Sequence, residues 1–454
     1  AQTVAHFLTT KKELPKNAVV IIDEAGQIGG RQMSALFAVL KKNESRIILS
    51  GDTRQHGAVE ASDALRAIEK HAGLKPAELS AIRRQDPNTG KDVAQKDFIG
   101  RYRKAVKAAS EGKLIESYER LDSLGCVLEI ESGTRKETLA KDYVCALNNG
   151  EKALVVTQTW DEIHRVNQEI QKRLRDEEKL GDGKQLSLFE NRDLDNAQKQ
   201  DARYYADNDY VIFMRKYGRF EKGDLAKIES VGPQGICLNS AGKSTVISLR
   251  KSERFVVARK RSVELSPGDR LQLKFNGSSL ENKPIVNGEL VTIEKINDNG
   301  RITVREDGGA VKTLSPDQRL VNLGYAVTSY SSQGKTVDTL LFSDSQCKAA
   351  TNRNQWYVSI SRARKRIKIY TSDKEALREN ILRIGERPLA MDLVSDRMGQ
   401  PVSIKRRIEK SSEVSRRAML LAKTLMLSML KRGTWLPRAW HHLRHQTVSR
   451  MSSI

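Results

Sequence analysis

Cysteine is scarce in this chain of 454 residues, which contains only four. Cys126, Cys145, Cys237 and Cys347 form no C-x-x-C pair, and none of the seven histidines lies at the spacing of a metal ligand. This pattern argues against zinc-binding modules and against small domains held together by disulfides. We therefore interpret the cysteines as unreactive residues of the core.

Long hydrophobic runs are also missing. The longest apolar stretch, residues 418–430, is too short to span a bilayer and contains Lys423. No signal-peptide pattern opens the chain. We therefore expect a soluble, cytoplasmic protein without a membrane span.

Acidic residues are outnumbered, with 57 Asp and Glu against 79 Lys and Arg and a formal net charge of +22. Excess basic charge favours a polyanionic partner, although charge alone is weak evidence. Residues 401–454 concentrate it, with twelve Lys and Arg against Glu409 and Glu413. We interpret this segment as a basic helical tail that lies on nucleic acid or a protein partner, or as a solvated helix outside the core.

Two apolar runs end in polar residues of the type found in nucleotide hydrolases. Residues 18–22 lead into Asp23 and Glu24, and residues 47–49 lead into the segment Gly51-Asp-Thr-Arg-Gln55. Continuous apolar runs predict parallel strands buried on both faces, and such sheets bind ligands at the carboxyl ends of their strands. Asp23 is suited to hold magnesium through water, and Glu24 to accept a proton from an attacking water. The alternative is a core strand followed by a solvated acidic turn.

The length predicts two to four compact units, and the patterns along the chain differ between its middle and its flanks. The predicted elements of the flanking parts are strands at 18–22, 46–49, 126–130, 153–157, 324–327, 339–342 and 367–370 and helices near 30–41, 61–72, 92–109, 136–147 and 160–178.

The middle of the chain predicts a different architecture. Residues 181–209 are polar and predict a long, partly disordered connection. Short alternating runs and turns between residues 210 and 320 predict antiparallel strands inserted into the second α/β unit. The related segments Phe220-Glu-Lys-Gly-Asp224 and Leu265-Ser-Pro-Gly-Asp269 predict two small barrels in tandem.

Three further segments complete an ordered series of motifs. They are Leu79-Ser-Ala-Ile-Arg-Arg-Gln85, Thr328-Ser-Tyr-Ser-Ser-Gln-Gly-Lys-Thr-Val-Asp338 and Tyr357-Val-Ser-Ile-Ser-Arg-Ala-Arg364. With this series, the chain resembles the superfamily 1 helicases of the RecD-like branch, and most closely the helicase part of TraI/TrwC-type conjugative relaxases. The resemblance covers about residues 1–375, and five motifs in order are far more specific than one.

The resemblance implies an α/β fold with two RecA-like parallel-sheet domains of the P-loop NTPase type, the first incomplete. It also implies an inserted small SH3-like β-barrel region and a basic helical tail. The implied domains are the partial first RecA-like domain at 1–95, the second at 96–209 and 321–375, the insert at 210–320 and the tail at 376–454.

The resemblance assigns roles to individual residues. It implies that Asp23 ligates magnesium through water and that Glu24 positions or deprotonates the hydrolytic water. Gln55 would sense the γ-phosphate, which Arg84 and Arg362 would reach from the facing unit. The residues implied to line the nucleotide cleft are Gln333, Gly334 and Lys335, and those implied to contact DNA are Thr53, His56, Thr328, Tyr330 and Ser331.

Each of these assignments has a structural alternative. Arg84 and Arg362 are surface salt-bridge partners in the alternative interpretation. Tyr330 and Trp356 are then core aromatics rather than platforms for stacked bases, and His56 is structural.

A helicase also needs a phosphate loop of the form G-x-x-x-x-G-K-[ST], which this sequence lacks. Gly235 is separated from Gly242-Lys-Ser by six residues instead of four, and Gln333-Gly-Lys-Thr336 would need glycine where Ser329 stands. The resemblance places this loop upstream of Ala1, and the chain also starts without Met. We therefore expect this chain to be the carboxyl-terminal part of a longer protein. By itself, we expect the chain to be inactive as an ATPase.

The motifs and the resemblance together imply part of an ATP-dependent DNA helicase, and the resemblance implies 5′ to 3′ movement on single-stranded DNA during conjugative transfer. ATP and Mg²⁺ are the expected cofactors. The expected partners are single-stranded DNA, duplex junctions and, through the basic tail, the conjugative transfer machinery. The alternatives are a non-hydrolysing fragment that binds DNA or docks on a partner, and a RecD-like repair helicase.

Overall fold

The computed structural model of the chain describes residues 2–385 and 389, except 11–13, 61, 73–74, 233–234, 241 and 345–349. The helices of this part are α1 (Val4–Thr10), α2 (Gly30–Lys42), α3 (Ala64–His71), α4 (Val93–Ser110), α5 (Leu114–Ser123), α6 (Ser132–Asn148), α7 (Trp160–Asp176), α8 (Asn196–Lys199), α9 (Ser329–Ser332), α10 (Arg353–Ile360) and α11 (Lys374–Asn380).

The strands divide among parallel and antiparallel sheets. They are β1 (Val19–Ile22), β2 (Arg46–Leu49), β3 (Val127–Glu129), β4 (Ala153–Thr157), β5 (Lys184–Asn191), β6 (Tyr210–Phe213), β7 (Leu225–Gly232), β8 (Gly235–Ser240), β9 (Lys243–Ile247), β10 (Phe255–Leu265), β11 (Arg270–Leu273), β12 (Gly277–Ser278), β13 (Pro284–Ile285), β14 (Leu290–Ile296), β15 (Ile302–Glu306), β16 (Val311–Leu314), β17 (Val321–Leu323), β18 (Ala326–Thr328), β19 (Val337–Ser343) and β20 (Ala363–Thr371).

The first layer is a parallel pair of strands, β1 and β2, with Val19 opposite Arg46. Ile22 packs with Leu36 of α2 in the core of this layer. On the other face, Val19 and Ile21 are 56% and 67% exposed. The prediction that β1 is buried on both faces is therefore wrong, because side chains alternate along a strand and the described helices cover only one face.

The second layer is a five-stranded parallel sheet with the order β18-β4-β19-β20-β3. All five residues of its strand β4 are buried, as the apolar run Ala153–Thr157 predicts. Aliphatic side chains of β19 pack against helices on both faces of this sheet. The predicted α/β fold with parallel sheets is confirmed.

The antiparallel middle segment forms two sheets with separate cores, with the orders β5-β10-β6-β7-β8-β9 and β16-β15-β14-β11-β17. Strand β10 belongs to the six-stranded sheet but contributes to both cores, because Phe255 packs in one core and Leu265 in the other. The repeated motifs ending at Asp224 and Asp269 lead into β7 and β11, one in each sheet. The structure therefore contains two antiparallel sheets in succession, and their description as small SH3-like barrels remains a prediction.

The polar segment 181–209 is not the disordered connection that its composition predicts. Strand β5 pairs with β10 over eight positions, from Lys184 to Asn191. Helix α8 then begins with a capping box between Asp195 and Gln198. Cross-strand pairing compensates for the polar composition here, and the antiparallel structure begins at Lys184 rather than Tyr210. The domain boundaries themselves remain predictions.

The cysteines differ in their surroundings. Cys126 is buried, and burial raises the pKa of its thiol to about 12. Cys145 is exposed on α6 and Cys237 is partly exposed, so the prediction that all are core residues is wrong for these two. Cys347 and the basic tail at 401–454 lie outside the described residues.

The described residues also bear on metal sites and on membrane-spanning helices. The described residues contain no group of three or more His, Cys, Asp or Glu side chains that could hold a metal ion. Among the described helices, none combines the length and the apolar character that a membrane crossing requires.

A buried asparagine joins helix α7 to the sheet strand that leads into the predicted DNA-contact segment. The amide nitrogen of Asn167 donates to the carbonyl oxygens of Leu323 and Ala326 at 3.1 and 3.3 Å. Its Oδ1 accepts from the Ala326 backbone N–H at 2.8 Å. Asn167 therefore satisfies backbone groups at the point where the chain returns from the antiparallel sheets.

We predict that Asn167→Ala lowers the free energy of unfolding by about 2 to 4 kcal/mol, because buried backbone groups lose their partner. Chemical denaturation measures the effect. Gln168→Ala, at the exposed neighbouring position, is the control and should change stability by less than about 0.5 kcal/mol. Equal stability of the two variants would contradict the role of Asn167.

Candidate active site

The turn after β1 places Asp23 and Glu24 at the carboxyl end of the first sheet. Ser50 donates its backbone N–H to the carbonyl of Ile22, and Ala25 donates to the carbonyl of Ser50, both at 2.8 Å. Asp23 Oδ1 accepts from the Glu24 backbone N–H at 2.9 Å. Glu24 has φ 50°, a left-handed conformation that is uncommon for residues other than glycine. This turn fixes the direction in which the two carboxylates leave the strand.

Gln333 of the second layer reaches both predicted motifs of the first layer. Its Nε2 donates to Glu24 Oε2 at 3.1 Å and to Gln55 Oε1 at 3.3 Å. Its Oε1 is buried and has no hydrogen-bond partner among the described residues. A buried amide oxygen without a donor costs free energy, so this atom marks a place where a ligand or water donor fits.

Asn354 of α10 forms hydrogen bonds with the backbone of the segment that contains Gln55. Its Nδ2 donates to the carbonyl oxygens of Arg54 and Gln55 at 3.1 and 2.9 Å. Tyr357, one turn later, forms a hydrogen bond with Asp52, and burial above all raises the pKa of its hydroxyl. The segment Asp52–Gln55 is thus positioned by side chains of the second layer.

The two predicted arginines lie in the same junction. Arg84 donates from Nε to Thr336 Oγ1 at 3.0 Å and from Nη1 to the carbonyl of Ser361 at 2.6 Å. Arg362 is only 2% exposed and donates to the carbonyl of Val358 at 2.9 Å and to Ser361 Oγ at 2.8 Å. These partners are neutral oxygens, so the surface salt-bridge interpretation does not describe either residue.

The two guanidinium groups also repel each other. Burial first, and the charge of Arg84 second, lower the pKa of Arg362 to about 10, while the charge of Glu24 opposes this shift. Burial likewise lowers the pKa of Arg84. The hydrogen-bond partners of both guanidinium groups are neutral, so two positive charges face the single carboxylate of Glu24 here, which favours an additional anion.

His56 stacks on Tyr330, with ring centroids 3.9 Å apart and an interplanar angle of 14°. His56 is 6% exposed, whereas Tyr330 is 52% exposed. His56 Nε2 lies 2.8 Å from Ser329 Oγ, which lies 3.2 Å from Ser359 Oγ. Tyr330 is therefore not a core aromatic, and His56 connects the first layer to buried hydroxyls of the second.

Trp356 is a core aromatic, as the alternative interpretation predicts. It is fully buried in the core of the second layer and donates its Nε1 to Ser117 Oγ at 3.2 Å. It cannot serve as an exposed platform for a base.

The remaining predicted residues have local partners. Thr328 Oγ1 accepts from the Ser331 backbone N–H at 3.1 Å and caps α9. Thr53 Oγ1 donates to Glu69 Oε2 at 2.9 Å. Lys335 follows Gly334, which has φ 77°. The Lys335 ammonium points to the antiparallel segment instead of the cleft, because it donates to the carbonyl of Gly288 at 2.8 Å.

The structure therefore brings together the side chains of Glu24, Gln55 and Gln333, with Arg84 and Arg362 close enough to interact with the charge of Glu24. Sequence reasoning missed the polar residues that hold this group, which are Asn354, Tyr357, Thr336 and Ser361.

The chain is similar to several known proteins. Residues 1–122 match the family described as an AAA domain. The multifunctional conjugation protein TraI of Escherichia coli is 20% identical over 463 residues, covering 88% of this chain and 25% of TraI. The probable conjugal transfer protein TraA of Sinorhizobium fredii is 32% identical over 124 residues, covering 24% of this chain and 11% of TraA. The chain is thus similar to TraI along most of its own length, and it spans about a quarter of the length of TraI.

A solved structure of similar fold, Bacteroides Pif1 bound to single-stranded DNA, is 14% identical with a TM-score of 0.42. The similarity covers 84% of this chain and 74% of that one.

The buried histidine predicts a pH dependence of stability. Burial first, and the charge of Arg362 second, lower the pKa of His56 from its ordinary value of 6.5 to about 4. Between these values the unfolded chain binds the proton and the folded chain does not, so stability is lost as pH falls through this range. We predict a loss on the order of 3 kcal/mol between about pH 6.5 and pH 4 from this residue.

Chemical denaturation at about pH 7.5 and about pH 5 compares the wild type with His56→Gln. We expect the variant to lose less stability than the wild type on acidification. His6→Gln, at an exposed position, is the control and should behave like the wild type. A wild-type pH dependence in His56→Gln would show that other groups cause it.

Proposed function

We propose that this chain is the motor part of a conjugative TraI-type DNA helicase, in which ATP bound between the two parallel layers drives movement along single-stranded DNA. One observation carries the proposal. Gln333 of the second layer contacts both Glu24 and Gln55 of the first, 3.1 and 3.3 Å away. A nucleotide that enters this junction competes for the same atoms, so its binding and release change the contact between the layers.

In this proposal Asp23 holds magnesium through water, and Glu24 accepts the proton of the hydrolytic water. The exposed Asp23 carboxylate at the end of β1 fits a hard cation, which needs only one or two protein carboxylates when phosphates supply further oxygens. Magnesium supplies charge neutralisation to the phosphates. Glu24 lies next to the buried Gln333 Oε1, where a polar ligand atom or water finds a place.

Arg84 and Arg362 stabilise negative charge on the transferred phosphoryl group. Their positive charge is already present in the junction, and their neutral partners leave it uncompensated. An arginine in this role contributes about 10³- to 10⁵-fold in rate in phosphoryl-transfer enzymes. Gln55 then changes its contacts with the presence or absence of the γ-phosphate, and this change acts on the adjacent His56.

The DNA path of the proposal runs over the exposed ring of Tyr330, with Thr53, Thr328 and Ser331 beside it. A neutral His56 supports this ring from below, and stacked aromatics suit bases of any sequence. The proposal includes 5′ to 3′ movement, unwinding of duplex junctions and a cytoplasmic location. Gly334 and Lys335 belong to its nucleotide cleft, with the Lys335 ammonium directed to the antiparallel segment.

The phosphate loop is the element that the chain does not contain. The proposal therefore assigns ATP hydrolysis to a longer protein that provides this loop. The same observation favours a second candidate, a non-hydrolysing fragment that binds DNA or docks on the conjugative transfer machinery. A RecD-like repair role is the third candidate, and the names of TraI and TraA favour transfer over repair.

We predict that Glu24→Gln, in a longer protein that joins this chain to a phosphate loop, abolishes DNA-stimulated ATP hydrolysis, because the water loses its proton acceptor. Affinity for single-stranded DNA should stay within about threefold, because Glu24 is not among the residues of the proposed DNA path. ATP turnover and DNA affinity are measured together.

Glu44→Gln is the matched control, because Glu44 forms an exposed ion pair with Lys16. We expect wild-type turnover from this variant. Loss of both hydrolysis and DNA binding in Glu24→Gln would contradict the role assigned to Glu24. DNA-stimulated turnover by the 454-residue chain alone would remove the requirement for a separate phosphate loop.

We predict that deletion of residues 401–454 flattens the salt dependence of DNA affinity, because twelve basic residues are lost with only two acidic ones. Affinity for an oligonucleotide is measured over a series of salt concentrations for both chains. An unchanged slope would assign the tail to a protein partner or to solvent.

A further inference from the structure

A cavity of about 300 Å³ lies where helix α7 meets the antiparallel sheets. Its walls include Trp160 at the start of α7, Lys274 after β11 and Arg259 on β10, with the amides of Asn191 and Asn322. An aromatic ring, cationic groups and amides are the side-chain types that recognise a nucleotide.

The cavity opens at the same edge of the parallel sheet as the proposed DNA path. Trp160 is three residues beyond Thr157, the last residue of β4. Thr157 pairs in register with Thr328, which begins the predicted DNA-contact segment. The carboxyl ends of these adjacent strands therefore carry both features.

Trp160 is not explained by core packing. It is 37% exposed and belongs to none of the hydrophobic clusters of the described residues. The Lys274 ammonium lies over its ring, 4.6 Å from the centroid. The His164 ring also lies nearby, with centroids 6.3 Å apart and an interplanar angle of 32°. The exposed part of the indole is the surface that a planar group can reach.

The charges of the cavity favour an anion near Lys274. No carboxylate of the described residues forms an ion pair with Lys274, although the charge of Asp193 acts on it. The Glu190 carboxylate is engaged by His164 and by Arg261, the latter at 2.5 Å. The cavity wall holds three cationic side chains, those of Arg192, Arg259 and Lys274, against the carboxylates of Glu190 and Asp193, so its formal charge is positive.

We propose that this cavity binds one nucleotide unit of single-stranded DNA, with the base stacked on Trp160 and the adjacent phosphate next to Lys274. The inference rests on the proposed function, because it extends the DNA path from Tyr330 to the junction with the antiparallel sheets. It assigns to α7 a second, sequence-tolerant contact.

The test measures affinity for a fluorescent oligothymidylate with the full 454-residue chain. Trp160→Ala and Trp160→Leu should weaken binding by about 5- to 150-fold, the effect of losing one base–aromatic stack. Trp160→Phe keeps a ring and should stay within about threefold of wild type. Trp160→Leu retains apolar packing, so it separates stacking from structural support. Phe37→Ala is the control, because Phe37 is 38% exposed on α2.

Lys274→Gln tests the phosphate contact independently. It should lower the slope of log affinity against log salt by about one, because one phosphate is no longer neutralised. Lys16→Gln, which removes an exposed lysine of the first layer, should leave the slope unchanged. Unfolding midpoints of all variants are measured beside the affinities.

The outcomes separate the two proposals. If the wild type binds DNA and Trp160→Leu binds it with the same affinity, the proposed nucleotide site in the cavity is wrong. The proposed function would not be contradicted by this result. Absence of DNA binding by the wild type would overturn both. Trp160-dependent binding of free thymidine monophosphate, with an unchanged oligonucleotide affinity, would make the cavity a mononucleotide site and contradict its place on the DNA path.

Discussion

Buried polar contacts between the two parallel layers are the constraint on which the rest of the site depends. A buried hydrogen bond contributes only about 0.5 to 1.5 kcal/mol, but a buried polar group without a partner costs about 1 to 3 kcal/mol. Gln333, Asn354 and Arg84 all place polar atoms in this junction, and each finds oxygen partners there. These hydrogen bonds therefore constrain how the two layers meet. A ligand that supplies better partners has the means to change the arrangement.

The chemistry of the site was readable from the sequence because it depends on residues close together in the chain. An apolar strand followed by Asp23 and Glu24 specifies both the element and the end of the sheet at which the carboxylates lie. The convergence of Gln55 and Gln333, 278 residues apart, required the resemblance to a known family. Neither pattern nor resemblance predicted that Asn354 holds the Gln55 backbone, because a single asparagine at a helix start carries no local signal for a distant carbonyl.

The errors of sequence reasoning have a common physical cause, which is that periodicity does not report which neighbours are present. The exposed face of β1 follows a pattern that a buried strand would share, so only the structure distinguishes them. Strand β5 was missed because its residues are polar, yet its pairing with β10 supplies the cross-strand hydrogen bonds that stabilise it. The direction of Lys335 was likewise decided by a carbonyl of the inserted segment, which lies 47 residues away.

The inserted antiparallel segment does more than interrupt the second layer. Strands β4 and β18 flank it in sequence and pair in the sheet, so Thr157 and Thr328 become neighbours. Asn167 holds this return, and the residues just beyond each strand therefore share one edge. The nucleotide site and the Trp160 cavity lie on elements tied to that edge. A shift of β18 relative to α7 would act on both. In the proposals this shift would connect the nucleotide to a base stacked on Trp160, which lies 170 residues before Tyr330 in the sequence. Each buried polar group along this connection hydrogen-bonds to specific partner atoms. Such contacts are either made or broken, so they favour two distinct arrangements of the strands and helices over a continuous deformation.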